Sequence, residues 1–205
     1  MAQHLKDEVR QRLVQAALAV FAEQGYAAAT IAEIAKLAGV STGNVYRYFP
    51  DKAALFADAV DAAFVRRLRR LLRRRVEAAA GANQLLDLPA GAPHPLASEA
   101  LLRFCIAERE RVIIVLGRAR GTHWEKLSEQ LVSELVRRCL AHFAGLRPEL
   151  RVTPALSFTL RRIYENLLRD GVDALAAFRK ETEIREAISG YSRYHLAGLE
   201  RLFQP

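Results

Sequence analysis

The stretch from Thr30 to Phe49, TIAEIAKLAGVSTGNVYRYF, decides how this chain is read. Thr30 and Glu33 stand three apart ahead of an apolar run. At that spacing a Thr hydroxyl and a Glu carboxylate satisfy each other's free amides at a helix start. The helix they open carries Ile31, Ile34, Ala35 and Ala38 on one face and stops at Gly39. Ser41 can cap a second short helix, Thr42 to Phe49, which Pro50 ends. Two short helices joined by a tight glycine turn predict a helix-turn-helix. Ala35 lies where the helices cross most closely, Gly39 takes the positive φ of the turn, and Val45 and Phe49 face inward. An ordinary αα-corner would need the small residue and the turn glycine as well. It would not need the outward face of the second helix, made of Thr42, Gly43, Asn44, Tyr46, Arg47 and Tyr48. Small residues at the helix start let the backbone approach a groove, and Asn44 can pair bidentately with adenine. Tyrosine and Ser/Thr hydroxyls suit phosphate oxygens. Lys52, in the first turn of the next helix, opposes the helix dipole, yet with that helix N-terminus it makes a good phosphate clamp. DNA binding is the better reading of the pair.

Outward from this motif, helical periodicity continues in both directions. Val9, Leu13, Ala16, Ala17, Val20 and Phe21 mark a first helix closed by Gly25. Asp51 caps a helix predicted to run unbroken from Lys52 through Phe56, Val60, Phe64, Leu68, Leu71 and Leu72. Residues 81–97, with Pro89, Pro93, Pro95, Gly81 and Gly91, read as a loop. Further helices are predicted near 98–107, 109–118, 122–145, 154–179 and 182–203, with Gly171 able to kink the fourth of these. No alternating run with hairpin chemistry is present, so the fold is expected to be all-α.

Charge adds a second signal. The chain of 205 residues carries a net charge of +8. Residues 1–52 contribute +1, the stretch Val65–Val76 contributes +7, and the remainder is balanced. The excess in the first third points to a polyanion, nucleic acid before a membrane surface. Arg66, Arg67, Arg69, Arg70, Arg73, Arg74 and Arg75 make up the run. On a straight helix they would lie roughly 20 to 35 Å from Lys52, too far for most to share its phosphates. Six of the seven fall on the arc opposite Phe64, Leu68 and Leu71. A solvated face partly paired with Glu108, Glu110 or Glu134 is the favoured reading, with long-range steering of DNA as an addition. An anionic headgroup site for a ligand such as an acyl-CoA is a lesser alternative.

The stretch from about Arg10 to Phe64 resembles the TetR family of bacterial transcriptional repressors. The resemblance rests on Phe21-Ala-Glu-Gln-Gly25-Tyr26, Thr30-Ile-Ala-Glu-Ile-Ala, Ala38-Gly-Val-Ser-Thr-Gly-Asn-Val-Tyr46-Arg-Tyr-Phe49 and Asp51-Lys52-Ala-Ala-Leu55-Phe56. It implies a three-helix helix-turn-helix domain at 6–66, with the motif at about 30–49. A long helix would join this domain to a helical bundle at 67–205 for ligand binding and dimerisation. It also implies an Ω-shaped homodimer on a double-stranded DNA operator, released by an unidentified small-molecule effector. Thr30, Ser41, Thr42, Gly43, Asn44, Tyr46, Tyr48 and Lys52 fall where the family touches DNA, and Arg47 joins them from the outward face. Ala32 stands where relatives often have a longer polar residue and adds little beyond packing.

Beyond residue 80 only candidates can be named. Phe64, Phe104, Trp124, Phe143, Phe158 and Tyr164 could wall a ligand pocket, with His123, Thr159 and Asn166 as polar handles. Ile184, Ile188, Tyr191, His195, Leu199 and Leu202 form a stripe on the last helix. Leu156, Leu160, Ile163, Leu167 and Leu168 form one on the helix before it. Together they suit a four-helix dimer interface, or else the interior of one chain. Cys105 and Cys139 sit among apolar neighbours and read as core residues. The five histidines lack metal-ligand spacing, and no catalytic triad or phosphate loop is present, so no cofactor and no enzyme are expected. No apolar leader and no membrane-length run occur, which predicts a cytoplasmic protein without a membrane partner. The rival function is an architectural protein that binds nucleic acid non-specifically through the Arg-rich helix.

Overall fold

The computed structural model describes residues 2–79, 88–146, 148–149 and 151–203, and among these every regular element is a helix. The helices are α1 (Ala2–Gln24), α2 (Ile31–Ala38), α3 (Thr42–Val45), α4 (Lys52–Ala59), α5 (Ala62–Glu77), α6 (Pro93–Ala107), α7 (Arg109–Ile113), α8 (Leu127–Leu146), α9 (Pro154–Ala177) and α10 (Glu181–Leu202). A wider π-helical turn, Ile114–Arg118, continues α7. The all-α expectation holds. Residues 81–87 of the expected 81–97 loop lie outside the described residues, and α6 starts earlier than expected, with Pro93 in the first helical position. That position needs no amide donor, so proline opens the helix instead of ending the loop. Gly171 lies within one continuous helix, α9.

The helix expected to run unbroken from Lys52 is two helices. Val60 leaves helical geometry (φ −126°, ψ 76°), and the Asp61 carboxylate accepts the Phe64 amide at 2.7 Å, capping α5. A carboxylate that can cap competes with helix continuation. The straight-helix distances from Lys52 to the Arg run therefore do not apply.

The chain forms two compact units. The first comprises residues 1–65 and 110–126, the second 66–109 and 127–205. The expected boundary at 66/67 lies one residue from the 65/66 division, and 110–126 returns to the first unit. Two arginines hold it there. Arg111 Nε donates to the Ala59 carbonyl at the end of α4 (2.8 Å), and its guanidinium lies 5.9 Å from the Phe64 ring centre. Arg118 donates to the Ala22 and Glu23 carbonyls in the last turn of α1, and its own carbonyl accepts the Tyr26 amide at 3.0 Å. Both cations sit where helix carbonyls lack intrahelical donors. Val112, Ile113, Ile114 and Val115 are buried in the same segment. Phe21, Tyr26 and Phe56 form an aromatic cluster at 5.0–5.5 Å in this unit, and His123 lies 6.2 Å from Phe56. Leu160, Tyr164, Leu168 and Val172 of α9 are buried in the second unit, as are Ile184, Leu196 and Leu199 of α10.

Candidate DNA-binding site

The helix-turn-helix forms as its residues dictate. Thr30 Oγ1 accepts the Glu33 amide at 3.2 Å, and Glu33 Oε2 accepts the Thr30 amide at 2.9 Å, completing the reciprocal cap. Gly39 closes α2 in the left-handed region (φ 69°), its amide donating to the Ala35 and Lys36 carbonyls. A residue with a side chain would be strained there. Ser41 Oγ accepts the Asn44 amide at 3.2 Å and starts α3. Regular α3 is shorter than the expected 42–49. After Val45 the turn tightens, with Arg47 donating to Asn44, and both Tyr48 and Phe49 donating to Val45. Val45 (0% exposed) and Phe49 are buried, and Ala35 is buried where α2 passes.

That anchoring turns the other face out. Ser41, Thr42, Gly43, Tyr46 (53% exposed) and Arg47 are exposed, and Asn44 and Tyr48 are partly so. Seven of the nine DNA-binding candidates thus share one accessible surface. Ser41 uses an oxygen lone pair for its cap, so its hydroxyl proton stays available to a phosphate. A narrow cleft beside this face is lined by Lys6, Asp7, Arg10, Arg47 and Tyr48, which brings two cationic residues of α1 to it. The sequence reading missed Lys6 and Arg10, because nothing in α1 alone places them beside Arg47. Arg10 pairs with Asp58 and lies 5.7 Å from the Phe49 ring centre.

Two candidates behave otherwise. Thr30 Oγ1 also donates to Glu33 Oε2 at 2.7 Å, so its single proton is spent inside the cap. These hydrogen bonds hold the Glu33 carboxyl below its ordinary pKa. Lys52 does not reach outward. Its Nζ donates to the Tyr26 and Ala29 carbonyls, both at 2.8 Å, and stands 4.5 Å from the Tyr26 ring centre. It ties the 26–29 turn to α4 and keeps one N–H beyond those two bonds. Burial first, then Asp51, raises the Tyr26 hydroxyl pKa.

Residues 13–59 match the family described as bacterial regulatory proteins, tetR family. Over these residues the chain is similar to the TetR family. The TetR match contains all nine DNA-binding candidates. Over 51 residues the chain is 43% identical to the HTH-type transcriptional regulator AcrR of Shigella flexneri, covering 25% of this chain and 24% of that one. Over 48 residues it is 50% identical to the HTH-type transcriptional regulator HbdR of Aromatoleum sp. (strain CIB), covering 23% and 21%. A longer match, 30% identical over 133 residues, covers 65% of this chain and 63% of an uncharacterized HTH-type transcriptional regulator of Mycobacterium bovis. The matches to these curated relatives thus span between about a fifth and under two thirds of their lengths. A transcriptional regulator (TerR/AcrR family) from Aquifex aeolicus VF5 shares the fold, with a TM-score of 0.50 at 17% identity over 90% of this chain and 98% of that one.

The ligand candidates are divided between the two units. Phe64 and Trp124 belong to the first unit; Phe104, Phe143, Phe158, Tyr164 and Asn166 belong to the second. Phe158 is 66% exposed and cannot wall a cavity within the chain. Phe143 stacks on Phe203 at 3.7 Å, and Asn166 accepts a hydrogen bond from Arg169 on the surface. The dimer candidates divide as well. Leu160, Ile184, His195 and Leu199 are buried within the chain and so are not free to meet a partner. Ile163, Leu167 and Ile188 are partly buried, whereas Tyr191 and Leu202 are exposed. Tyr194, at 82% exposure, joins them on α10. Periodicity marked the apolar stripe but could not tell its inner edge from its outer one.

Among the described residues no three His, Cys, Asp or Glu side chains form a metal-binding group, and no helix is long and apolar enough to cross a membrane. Burial pushes the Cys105 thiol up to about 12 and the Cys139 thiol to about 11, so neither is a ready nucleophile.

Proposed function

We propose that this protein is a homodimeric transcriptional repressor. It reads a palindromic operator with α3 and leaves it when a small hydrophobic or amphipathic molecule binds the second unit. One observation carries the reading: Val45 and Phe49 are buried while Ser41, Thr42, Gly43, Asn44, Tyr46, Arg47 and Tyr48 face solvent together. Asn44, at the start of the recognition helix, is the base reader. Ser41, Thr42, Tyr46 and Tyr48 donate to phosphates and fix register, and Arg47 with Lys6 supplies charge. The dimer face is the exposed side of α10, Tyr191, Tyr194 and Leu202, beside Ile163 and Leu167 of α9. It sets two α3 helices about 34–36 Å apart, one turn of DNA. No catalytic role is assigned to any residue, and the protein works on DNA in the cytoplasm.

Footprinting on the DNA flanking its own gene tests the reading. A single protected palindrome is expected. Uniform protection without a preferred site would favour the non-specific alternative, in which the Arg-rich face of α5 holds nucleic acid. That face carries Arg66, Arg70 and Arg74 exposed, while Arg69 donates to Gln130 and Arg73 lies 4.0 Å from Glu134.

A further inference from the structure

Arg75 differs from the other six arginines of its run. Counting 100° per residue along α5, it falls on the same side as Leu68, which is buried, and it points into the second unit. Its Nε donates to Ser98 Oγ of α6 at 3.2 Å, and its Nη2 donates to Ser192 Oγ of α10 at 3.0 Å. These are neutral oxygens. Among the described residues no carboxylate pairs with it, although burial weakens its hold on the proton. An arginine still remains charged under any physiological condition. Arg75 is partly buried, and a cation that gives up hydration without a counter-ion is an arrangement that proteins ordinarily avoid.

The groups around Arg75 are equally unusual. His94 of α6 and His195 of α10 are both buried, and each is held neutral by burial and by the Arg75 charge, at about 4 and about 3. The His195 ring packs 5.1 Å from that of Tyr164 on α9, and among the described residues its Nε2 has no hydrogen-bond partner although His195 is only 6% exposed. One cation and an orphaned imidazole nitrogen thus sit together, with hydroxyls on the Nε–Nη2 edge of the guanidinium. The other edge, Nη1 with the second Nη2 proton, is the fork that a carboxylate fits bidentately. Ala79 and Leu196 form a buried apolar cluster with Leu88 packed on it, close in sequence to Arg75 and His195. A single positive charge among neutral imidazoles and apolar groups matches a monoanion with a hydrocarbon body. A phosphate, with its second charge, is a poorer match.

We propose that Arg75 is the counter-ion for an amphipathic monocarboxylate bound inside the second unit, with His195 and Tyr164 beside the carboxylate. The inference rests on the repressor reading only in calling that molecule an effector.

The experiment uses the full chain and the sodium salts of straight-chain acids from butanoate to decanoate, each below its micellar range. Primary alcohols of equal length are the controls, and thermal melting is the readout. At least one acid should raise Tm by about 5 °C or more at about hundredfold excess over its Kd, while its alcohol does not. Arg75→Met should melt no lower than the parent and lose the response. If no acid outperforms its alcohol, or if Arg75→Met responds as the parent does, the proposal is overturned. Should Arg75→Met fail to fold, Arg75→Lys decides. It keeps the charge without the fork, so acid affinity should fall tenfold or more, and unchanged affinity overturns the assignment. Operator binding, measured separately by gel shift, keeps the two readings distinguishable. Acid binding by a chain that never selects an operator would sink the repressor and leave the site standing.

Discussion

At the scale of single residues, the proposed DNA face separates exposed side chains from side chains that hold the fold. Under the proposed function, Asn44 is the base reader. Asn44→Ala should cost about 1–3 kcal/mol at one operator position and leave binding to scrambled DNA unchanged. Titration on both DNAs checks this, and equal losses would remove Asn44 from base readout. Lys52 is placed to hold. Lys52→Met removes two charge-assisted bonds, to the Tyr26 and Ala29 carbonyls, so stability should fall by about 2–3 kcal/mol in a urea melt. A residue serving only phosphate would leave the melt alone and flatten the salt dependence of DNA affinity by about one unit. Thr30→Ala should likewise destabilise the unit, by about 0.5–2 kcal/mol, through loss of the cap. Because the folded Glu33 carboxyl is held below its ordinary value, its contribution is present above about pH 4.5 and is lost as pH falls through the folded pKa. Acid titration of Thr30→Ala stability should show that limb flattened.

Helix boundaries show how far a sequence can be read and where it stops. The Thr30–Glu33 cap, the Gly39 stop and the buried Val45 were all legible, because each rests on neighbours within four residues. The break at Val60–Asp61 was not, since an Asp flanked by good helix formers signals a cap only once its carboxylate is seen to turn back. The whole motif face was legible too, apart from Lys6 and Arg10, which reach it from another helix. Arg75 was invisible as a site because its partners come from 23 and 117 residues away. The docking of Ile114–Arg118 onto α1 is likewise non-local, and it yields a prediction. Arg118→Ala strips the donors from the Ala22 and Glu23 carbonyls and should destabilise the protein by about 1–3 kcal/mol. Amide exchange in 112–118 should rise with it, and unchanged protection there would mean that the apolar run alone seats the segment.

Assembly belongs to the whole molecule. Tyr191, Tyr194 and Leu202 leave an apolar strip on α10 that water must cover. Replacing all three by Asp should yield a species sedimenting near 22.9 kDa, where the parent should run at about twice that mass. Specific operator affinity should then drop towards the non-specific level, since one α3 reads only half of a palindrome. A parent already at 22.9 kDa, or a triple variant still at double mass, would place the interface elsewhere.

The return of 110–126 to the first unit bears on how such proteins could exchange parts. The first unit is discontinuous in sequence, so a crossover near residue 65 would deliver α1–α4 without Arg111, Arg118 and the buried run that seats on them. A hybrid of two relatives would seat an imported α1–α4 in this way only if the recipient's own segment offered the same guanidinium groups to the ends of α1 and α4. The α1–α4 fold is then not a cassette that moves freely along a genome. It travels with a second, distant stretch of the same gene.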